Sequence, residues 1–426
     1  MCSIFECLLI TAGYFLQSKG NCDNCLKENK SQVDYHQQAF ETRWSWSYVN
    51  YTWRSPDHYL DAAISGRYLP QNILVGGPRV YQDKVYVTMP KYRIGVPASL
   101  GYFPLVSLEK TNIPITPFPS WEMNHQGNCR NLQSVIATEI DRQGVMWVLD
   151  GHRSSNYING IRCPAKMVLL DLNERGRILQ VVTFPNEICL QDGGFLNDLV
   201  IDETNGTYVY ITDNSAIDPG LVVYSYGQNR AWKLRDGSMF PQVSAAGYVI
   251  DNGFRMDYLG TIDGLALSPF TDRAPRLLFY TPLTSNQLFC IATDILKDQQ
   301  LASNQTWRRY VRLVGDKQGS SDGMLMDNKG NLYYGLIPQY AVAKWNIFEP
   351  FKNAKIIYRN PKTVVWPDSF SMDLQGNMYL ATDYAHRFFV NNNTLFFTPD
   401  MIMFRIHVMH VGTRSYMYSF SENFNK

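Results

Sequence analysis

Four polar residues recur at one position of a repeated sequence phrase: Asn197, Asp263, Asp322 and Asp368 each precede a turn-starting residue by five positions. Carboxylates that converge without matched basic residues have few uses. They can bind a hard cation, pair with an organic ammonium group, or act as general acid and base. Asp and Asn also satisfy backbone amides at turns and strand ends, so the set fits a structural role equally well.

A second set of acids ends the other half of the same phrase, at Asp150, Asp213 and Asp383. If the two halves are antiparallel strands, the start of the first and the end of the second lie at the same edge of the sheet. We therefore expect these carboxylates to converge on one rim. The predicted ligand-binding residues are Asn197, Asp263, Asp322, Asp368, Asp383 and Tyr384. No catalytic residue, metal site or cofactor is assigned.

The phrase that carries these residues is an apolar run, a turn rich in Asp and Gly, and a second apolar run. It reads SSDGMLMDNKGNLYYGL at 320–336 and WPDSFSMDLQGNMYLATD at 366–383. The six copies are anchored at Gln82, Asp141, Asp202, Ser268, Asp327 and Asp373. Alternating β-branched and aromatic residues around such turns indicate hairpins. A two-domain β-sandwich explains the alternation but not six recurrences, so the repeat predicts an all-β, six-bladed β-propeller with a central channel.

The boundaries follow from where the repeat starts and stops. The aromatic segment RWSWSYVNYTW at 43–53 precedes the first copy and is predicted to supply the strand that completes the last blade. The propeller is assigned to residues 43–400, after a polar leader at 21–42. Residues 401–426 are expected to form a C-terminal strand or tail.

Residues 1–20 are predicted to be a signal peptide, because the apolar stretch from Cys7 to Leu16 has the length of a signal-peptide core and is too short to span a bilayer. Five Asn-x-Ser/Thr sequons agree with a secreted, extracellular glycoprotein. They lie at Asn29, Asn50, Asn205, Asn304 and Asn392. With 39 basic and 38 acidic residues, the net charge of +1 argues against nucleic acid or a membrane surface as partner.

Four cysteines lie in the body of the chain, and four cysteines allow three pairings. They are Cys129, Cys163, Cys189 and Cys290. Cys22 and Cys25 form a C-x-x-C in the leader without a thioredoxin-like context, and no role is assigned to them. His125 and His152 lie near Cys129 and Cys163 in the sequence and are candidates to face a cavity, although an isolated histidine is more often a packed or surface residue.

Three further motifs fit known chemistry poorly. The segment 319–323 matches G-x-S-x-G but precedes a strand, whereas a nucleophile elbow needs a strand, turn and helix. His407 and His410 lack a third ligand for a metal. Arg79 and Lys91 flank the first inner hairpin, and two interpretations are open: they offset the acids, or they are solvated surface residues.

Several longer stretches resemble the insect yellow and major royal jelly protein family. They include PFPSWEMNHQGNCRNLQSVIATEIDRQGVMWVLD at 117–150, RCPAKMVLLDL at 162–172 and YITDNSAIDPGLVVYSYGQNRAWKL at 210–234. The resemblance implies a secreted six-bladed propeller. It also implies the disulfides Cys129–Cys163 and Cys189–Cys290.

Family members are linked to melanin and cuticle pigmentation, to dopachrome conversion and to the binding of serotonin and catecholamines. The resemblance therefore implies a protein that binds, or isomerises, a catecholamine- or indole-type amine. One alternative is a non-enzymatic structural or signalling protein of cuticle or eggshell, with extracellular matrix proteins as partners. A third, ranked last, is a calcium-dependent lactonase-like hydrolase.

Overall fold

Each copy of the repeated phrase folds as a β-hairpin, and each hairpin is the inner half of a four-stranded antiparallel sheet. The computed structural model describes residues 39–151, 163–271, 274–390 and 401–418. The inner strands of neighbouring sheets contact one another around a closed ring. The predicted six-bladed β-propeller is therefore confirmed. The predicted signal peptide, the sequons at Asn29 and Asn392, and His152 lie outside the described residues.

The first three blades follow the chain without interruption. Blade one contains β2 (Gly76–Tyr81), β3 (Lys84–Thr88), β4 (Leu100–Pro104) and β5 (Thr116–Pro117). Blade two contains β6 (Ala137–Ile140), β7 (Val145–Asp150), β8 (Lys166–Asp171) and β9 (Arg177–Thr183). Blade three contains β10 (Leu196–Asp202), β11 (Tyr208–Asp213), β12 (Gly220–Ser225) and β13 (Arg230–Leu234).

The last three blades include the one that closes the ring. Blade four contains β16 (Ile262–Leu267), β17 (Leu277–Pro282), β18 (Gln287–Ala292) and β19 (Arg312–Asp316). Blade five contains β20 (Met324–Met326), β21 (Asn331–Leu336), β22 (Ala341–Asn346) and β23 (Lys355–Arg359). Blade six contains β24 (Trp366–Met372), β25 (Asn377–Asp383), β26 (Phe404–His410) and, as its outer strand, β1 (Glu41–Trp46).

Ring closure uses the N-terminal aromatic segment, as the sequence predicts. Strand β1 pairs antiparallel with β26, so that Thr42 lies opposite His407 and Trp46 opposite Phe404. Trp44 and Trp46 are fully buried against blade one and contact Phe103. Burying such large side chains gives the closing strand a substantial hydrophobic anchor.

Few other elements interrupt the ring. The hairpin of β14 (Tyr248–Ile250) and β15 (Phe254–Met256) lies between blades three and four in the chain. The helices in the described residues are α1 (Pro56–Ile64), α2 (Thr293–Lys297), α3 (Gln299–Ser303) and α4 (Ala385–Val390). Short 3₁₀ turns occupy Pro70–Asn72, Glu122–Asn124, Leu172–Glu174, Gly237–Met239, Val243–Ala245, Thr306–Tyr310, Ile337–Gln339 and Phe351–Asn353. No helix in these ranges is long and apolar enough to cross a bilayer.

The turn aspartates of the repeated phrase hold the hairpins together. In blade six, Asp373 Oδ1 accepts hydrogen bonds from the backbone N–H groups of Gln375 and Asn377, at 2.9 and 2.8 Å. Its other oxygen accepts from the hydroxyl of Tyr379. Asp141 and Asp327 accept from their own turns in the same way. A carboxylate that replaces missing backbone partners fixes the turn, so these residues are structural.

One of the two implied disulfides is present. Cys129 and Cys163 are bonded, with their Cα atoms 5.2 Å apart. The implied bond between Cys189 and Cys290 is wrong: neither cysteine forms a disulfide, and both are buried. Cys189 follows the last strand of blade two, whereas Cys290 lies in the third strand of blade four, within a different hydrophobic cluster.

Candidate functional site

The inner strands of all six blades enclose a central cavity of about 110 Å³. We call the end where the inner strands begin the mouth of this channel. The predicted residues Asn197, Asp263, Asp322 and Asp368 all line the cavity near that end. We refer to these four as the mouth cluster.

The mouth cluster is organised around Asp263, which is buried. Asn197 Nδ2 donates to one carboxylate oxygen of Asp263 at 2.6 Å, and Asn214 Nδ2 donates to the other at 2.5 Å. Two amide donors make Asp263 an acceptor on both oxygens. Sequence reasoning missed Asn214, because it follows the acid that ends its strand and lies outside the repeated positions.

Asp322 and Asp368 lie beside Asp263, and ionising both of them in this buried place would cost considerable free energy. Burial raises the pKa of Asp322 well above its usual value, and the nearby charges of Asp263 and Asp368 raise it further. Trp366 Nε1 donates to Asp322 Oδ2 at 2.6 Å. Burial also raises the pKa of Asp368, to about 6, although Ser369 and Asp322 donate to it. Of the two carboxyl groups, Asp322 holds a proton more readily, and it donates a hydrogen bond to Asp368.

Asp383 lies behind Asp368, at the end of the second strand of blade six. Burial raises its pKa well above the usual range, and the charge of Asp368 raises it further. One oxygen accepts from the backbone N–H of Ala385 at 2.8 Å, while Oδ2 is buried without a hydrogen-bond partner among the described residues. The neighbouring Tyr384 packs in the hydrophobic core under the guanidinium of Arg387 and does not line the cavity.

The other two acids of the rim, Asp150 and Asp213, each form an ion pair with a buried lysine. Asp150 contacts Lys166 Nζ at 2.6 Å, and Asp213 contacts Lys233 Nζ at 2.7 Å. All four side chains are almost completely buried. Asp150 also accepts two backbone N–H bonds from the segment that leads into its blade, whereas Asp213 accepts one from Phe195 in that segment and one from Ser215, two residues further along the chain. These acids hold the top of a blade together and leave no charge for a ligand.

Blade four has no acid at the position that Asp213 and Asp383 occupy in their blades. Pro282 lies opposite the first residue of the inner strand, as Asp213 and Asp383 do in their blades. Lys317 is buried nearby and donates to Thr281 Oγ1 and to the carbonyl of Ser285, at 2.6 and 2.9 Å. Burial lowers its pKa to about 7. Blade four thus has the lysine without the acid, and blade six has the acid without the lysine.

Farther down the channel, the charges are balanced. Arg79 donates to the carbonyl of Phe370 at 3.0 Å and lies 3.5 Å from Glu139. Burial raises the pKa of Glu139, and raises that of Asp198 to about 7, while Arg79 opposes both shifts. Of the two interpretations of Arg79, the solvated surface residue is wrong, because its strand faces the channel and the residue is only 9% exposed, and its contacts agree with the one in which it offsets acids.

The C-terminal segment closes the end of the channel opposite the mouth. Tyr416 is 1% exposed and lines the cavity. Its hydroxyl accepts from the N–H of Ile201, and its N–H donates to the carbonyl of Met326. Arg276 donates to the carbonyl of Tyr416 at 3.0 Å. These contacts join the segment to blades three, four and five, so the channel is a blind pocket.

The β14–β15 hairpin reaches across the mouth to blade six. Asp251 lies in the turn of this hairpin. Its carboxylate is 2.8 Å from His386 Nε2 and also accepts a hydrogen bond from Arg387. The ring of Phe254 meets that of His386 edge to face at 4.8 Å. Burial opposes ionisation of Asp251, but the bonds to His386 and Arg387 lower its pKa to about 2. The hairpin is therefore tied to α4 by an ion pair that stays charged at neutral pH.

Aromatic side chains line the same end of the cavity. They are Tyr92, Phe195, Tyr258 and Trp366. They belong to four different blades or loops, so the sequence pattern did not predict that they lie together.

The other candidate motifs have structural roles. His407 bonds Thr42 through Nδ1 and Thr382 through Nε2, at 3.0 and 2.9 Å, and is fully buried. His410 contacts Asn377 at the far end of the same strand. Ser321 of the G-x-S-x-G segment is buried beside the inner strand of blade five. Among the described residues, no group of three or more His, Cys, Asp or Glu side chains is placed to hold a metal ion.

Comparison with known proteins agrees with this fold. The family model described as "Major royal jelly protein" matches residues 133–413. Protein yellow of Drosophila erecta is 27% identical over 365 residues, covering 80% of this chain and 64% of that protein. Dopaminechrome tautomerase of Drosophila melanogaster is 23% identical over 399 residues, covering 89% of this chain and 82% of that protein. The chain thus spans less than two thirds of the length of the yellow protein.

Solved structures with a similar fold are more distant. A calcium-binding protein, regucalcin from Agrobacterium tumefaciens, is 11% identical with a TM-score of 0.46, covering 80% of this chain and 93% of that one. Virginiamycin B lyase from Staphylococcus aureus is 12% identical with a TM-score of 0.40, covering 72% and 76%.

Proposed function

The chain belongs to the major royal jelly protein family, and we propose that it binds a small aromatic amine of the catecholamine or indole type at the mouth of its channel. The observation that carries this proposal is the mouth cluster, where the buried carboxyl groups of Asp263, Asp322 and Asp368 converge on one end of the cavity. An ammonium group would bring positive charge to these carboxyl groups. The surrounding aromatic side chains supply an apolar wall and cation–π contact.

The same carboxylates suit a tautomerisation, which moves a proton from carbon to a carbonyl oxygen of the substrate without net gain or loss of electrons. Asp368, with a pKa of about 6, is ionised at neutral pH and can accept a proton. Asp322, whose pKa is raised well above its usual value, keeps a proton that it can donate. Two neighbouring carboxyls with separated pKa values can divide the roles of base and acid. The similarity to dopaminechrome tautomerase supports this chemistry.

We also propose that the protein is secreted and acts in a pigmentation pathway. The Cys129–Cys163 disulfide suits an oxidising compartment. The sequon residues Asn205 and Asn304 are exposed, whereas Asn50 is half-buried and accepts from the indole of Trp53. We therefore expect glycans at Asn205 and Asn304 before Asn50, which peptide mapping of the secreted protein can test.

Titration calorimetry of the full chain with dopamine and tryptamine tests the binding proposal. We expect saturable binding, and Asp368→Asn should weaken it about tenfold or more because a charged hydrogen bond contributes about 1.5–3 kcal/mol. Asp294→Asn, which removes an exposed carboxylate from α2, is the matched control and should bind as the wild type does. Absence of binding by either amine would contradict the proposal and favour the structural alternative.

Catalysis is tested separately, by following the absorbance of dopaminechrome with and without the protein. We expect Asp322→Asn to abolish acceleration while amine binding persists, since the amide keeps the size of the acid but cannot donate the proton. Amine binding by the wild type without acceleration would leave the chain a binder and reject the tautomerase assignment.

A further inference from the structure

A second cavity, of about 680 Å³, lies on the mouth side of blade one and is separate from the channel. Its walls come from α1, from the loop at 89–99 and from the loop at 118–131. Each of these segments follows a strand that runs toward the mouth side, so the groove and the channel open on the same face of the propeller. The volume lies within the range of small-molecule sites.

The floor of this groove is aromatic. Trp53 and Trp121 stack, with ring centroids 5.1 Å apart and planes 26° from parallel. His58 meets the ring of Trp121 edge to face at 4.8 Å. Its Nδ1 atom is buried and has no hydrogen-bond partner among the described residues. A planar ring that lies along this floor would gain stacking contacts with the two indoles.

The walls of the groove are basic. Arg54, Arg67, Arg93 and Lys91 line it, against one acidic lining residue, Glu122. Glu122 pairs with Arg54, and Asp61, beside the groove, pairs with Arg67. The charge of Asp150 also acts on Lys91, but Asp150 is paired with Lys166, so basic side chains still outnumber acids around the groove.

For Lys91, the interpretation as a solvated surface residue is wrong. Its side chain is only 2% exposed, and its Nζ donates to the carbonyl of Asn124 at 2.8 Å. Burial lowers its pKa to about 7. Burial also lowers the pKa of Arg93. An anion in the groove would offset the cost of keeping these groups charged.

From the aromatic floor and the basic walls, we propose that the groove binds a planar aromatic anion, a ring that carries a carboxylate or a sulfate. The ring would lie against Trp53 and Trp121, and the anionic group would lie against Arg93 and Arg54. Guanidinium groups suit this role because they pair with carboxylates and sulfates through two parallel hydrogen bonds. The channel mouth has the opposite charge, so the two sites on one face would select opposite ligands.

One indole ring with three different charges tests the proposal. Indole-3-acetate, its neutral amide indole-3-acetamide, and the cation tryptamine are titrated into the full chain by calorimetry. We expect indole-3-acetate to bind at least about tenfold more tightly than the amide. Arg93→Gln and Arg54→Gln should each weaken indole-3-acetate about tenfold, in line with the loss of one charged hydrogen bond.

Arg177→Gln is the matched control, because Arg177 is 56% exposed and pairs with Glu174 much as Arg54 pairs with Glu122, but lies in blade two. It should leave all three affinities unchanged. Equal affinity for the acid and the amide, or wild-type binding of indole-3-acetate by both groove variants, would overturn the proposal. Asp368→Asn separates this test from that of the channel, because it should weaken tryptamine and spare indole-3-acetate.

Discussion

In blades two and three, the carboxylate that ends the second strand lies against a buried lysine, whereas in blade six the equivalent carboxylate lies against another carboxylate. Asp150 and Asp213 contact Lys166 and Lys233 within 2.7 Å. Asp383 has no lysine partner among the described residues, and its pKa is raised by burial and by the charge of Asp368. The same residue in the same place of the repeat therefore has opposite energetic effects.

The difference separates the scaffold from the site. A carboxylate with a matched cation and backbone donors stabilises the fold, but a carboxylate that faces another one lowers the stability of the native state. Such uncompensated groups concentrate where a protein binds or reacts. Blade six, with blades four and five beside it, is accordingly the side of the rim where we place the ligand.

The largest expected effect comes from breaking a matched pair. Asp150→Asn leaves Lys166 buried without its carboxylate, and we expect the free energy of unfolding to fall by about 3–5 kcal/mol. Chemical denaturation at pH 7 measures this. A loss below about 1 kcal/mol would show that the aspartate–lysine ion pairs of blades two and three do not stabilise the fold. The difference from blade six would then disappear.

The matching change in blade six should act in the other direction. Asp383→Asn removes a buried, unmatched acid while keeping an oxygen for the N–H of Ala385, so we expect the free energy of unfolding to rise by about 1–3 kcal/mol. The same denaturation experiment reports it. Destabilisation by Asp383→Asn would mean that this carboxylate is matched after all.

The pH dependence of stability sharpens the comparison. Because the pKa of Asp368 is raised to about 6 in the folded protein, the folded state keeps a proton that the unfolded chain loses near pH 4. Its contribution to stability is complete below pH 4 and is lost as the pH rises through 6. The free energy of unfolding of Asp368→Asn, relative to that of the wild type, should therefore rise by on the order of 1–2 kcal/mol between pH 4 and pH 7. A gain that does not change with pH would contradict the raised pKa.

The smallest net effect is expected from removing both members of a pair. Asp150→Asn combined with Lys166→Met takes away the carboxylate and the lysine together, so no buried charge remains unmatched. We expect the double variant to unfold within about 1 kcal/mol of the wild type, recovering most of the loss of the single variant. If the double variant is as unstable as Asp150→Asn, the loss comes from the backbone bonds and not from charge.

Much of the fold follows from local patterns that the sequence contains. The turn aspartates, such as Asp141 and Asp373, identify every hairpin they close because the carboxylate bonds its own turn. The aromatic strand at Glu41–Trp46 is recognisable because it precedes the first copy of the repeat without a partner of its own. The mouth cluster follows from the same register, five positions before each turn.

The partners of those residues could not be predicted, because they come from other strands or loops. Lys166 belongs to the third strand of its blade and Lys233 to the fourth, so no fixed spacing connects them to the acids they neutralise. Asn214 and the β14–β15 hairpin likewise reach the mouth through loop conformations. The implied Cys189–Cys290 disulfide is not formed, so resemblance to a family does not by itself bring two cysteines into contact.

The pairing of β1 with β26 has a consequence for how the molecule is made. The two strands are separated by more than 350 residues, because Glu41 pairs with Val408, so the chain must be synthesised through β26 before blade six can form. Until then, the outward edge of β25 and the tryptophans of β1 stay exposed to other chains, and closing so large a loop is slow. The time between the synthesis of β26 and ring closure is when a nascent chain of this protein is most open to aggregation, and when assistance by chaperones would matter most.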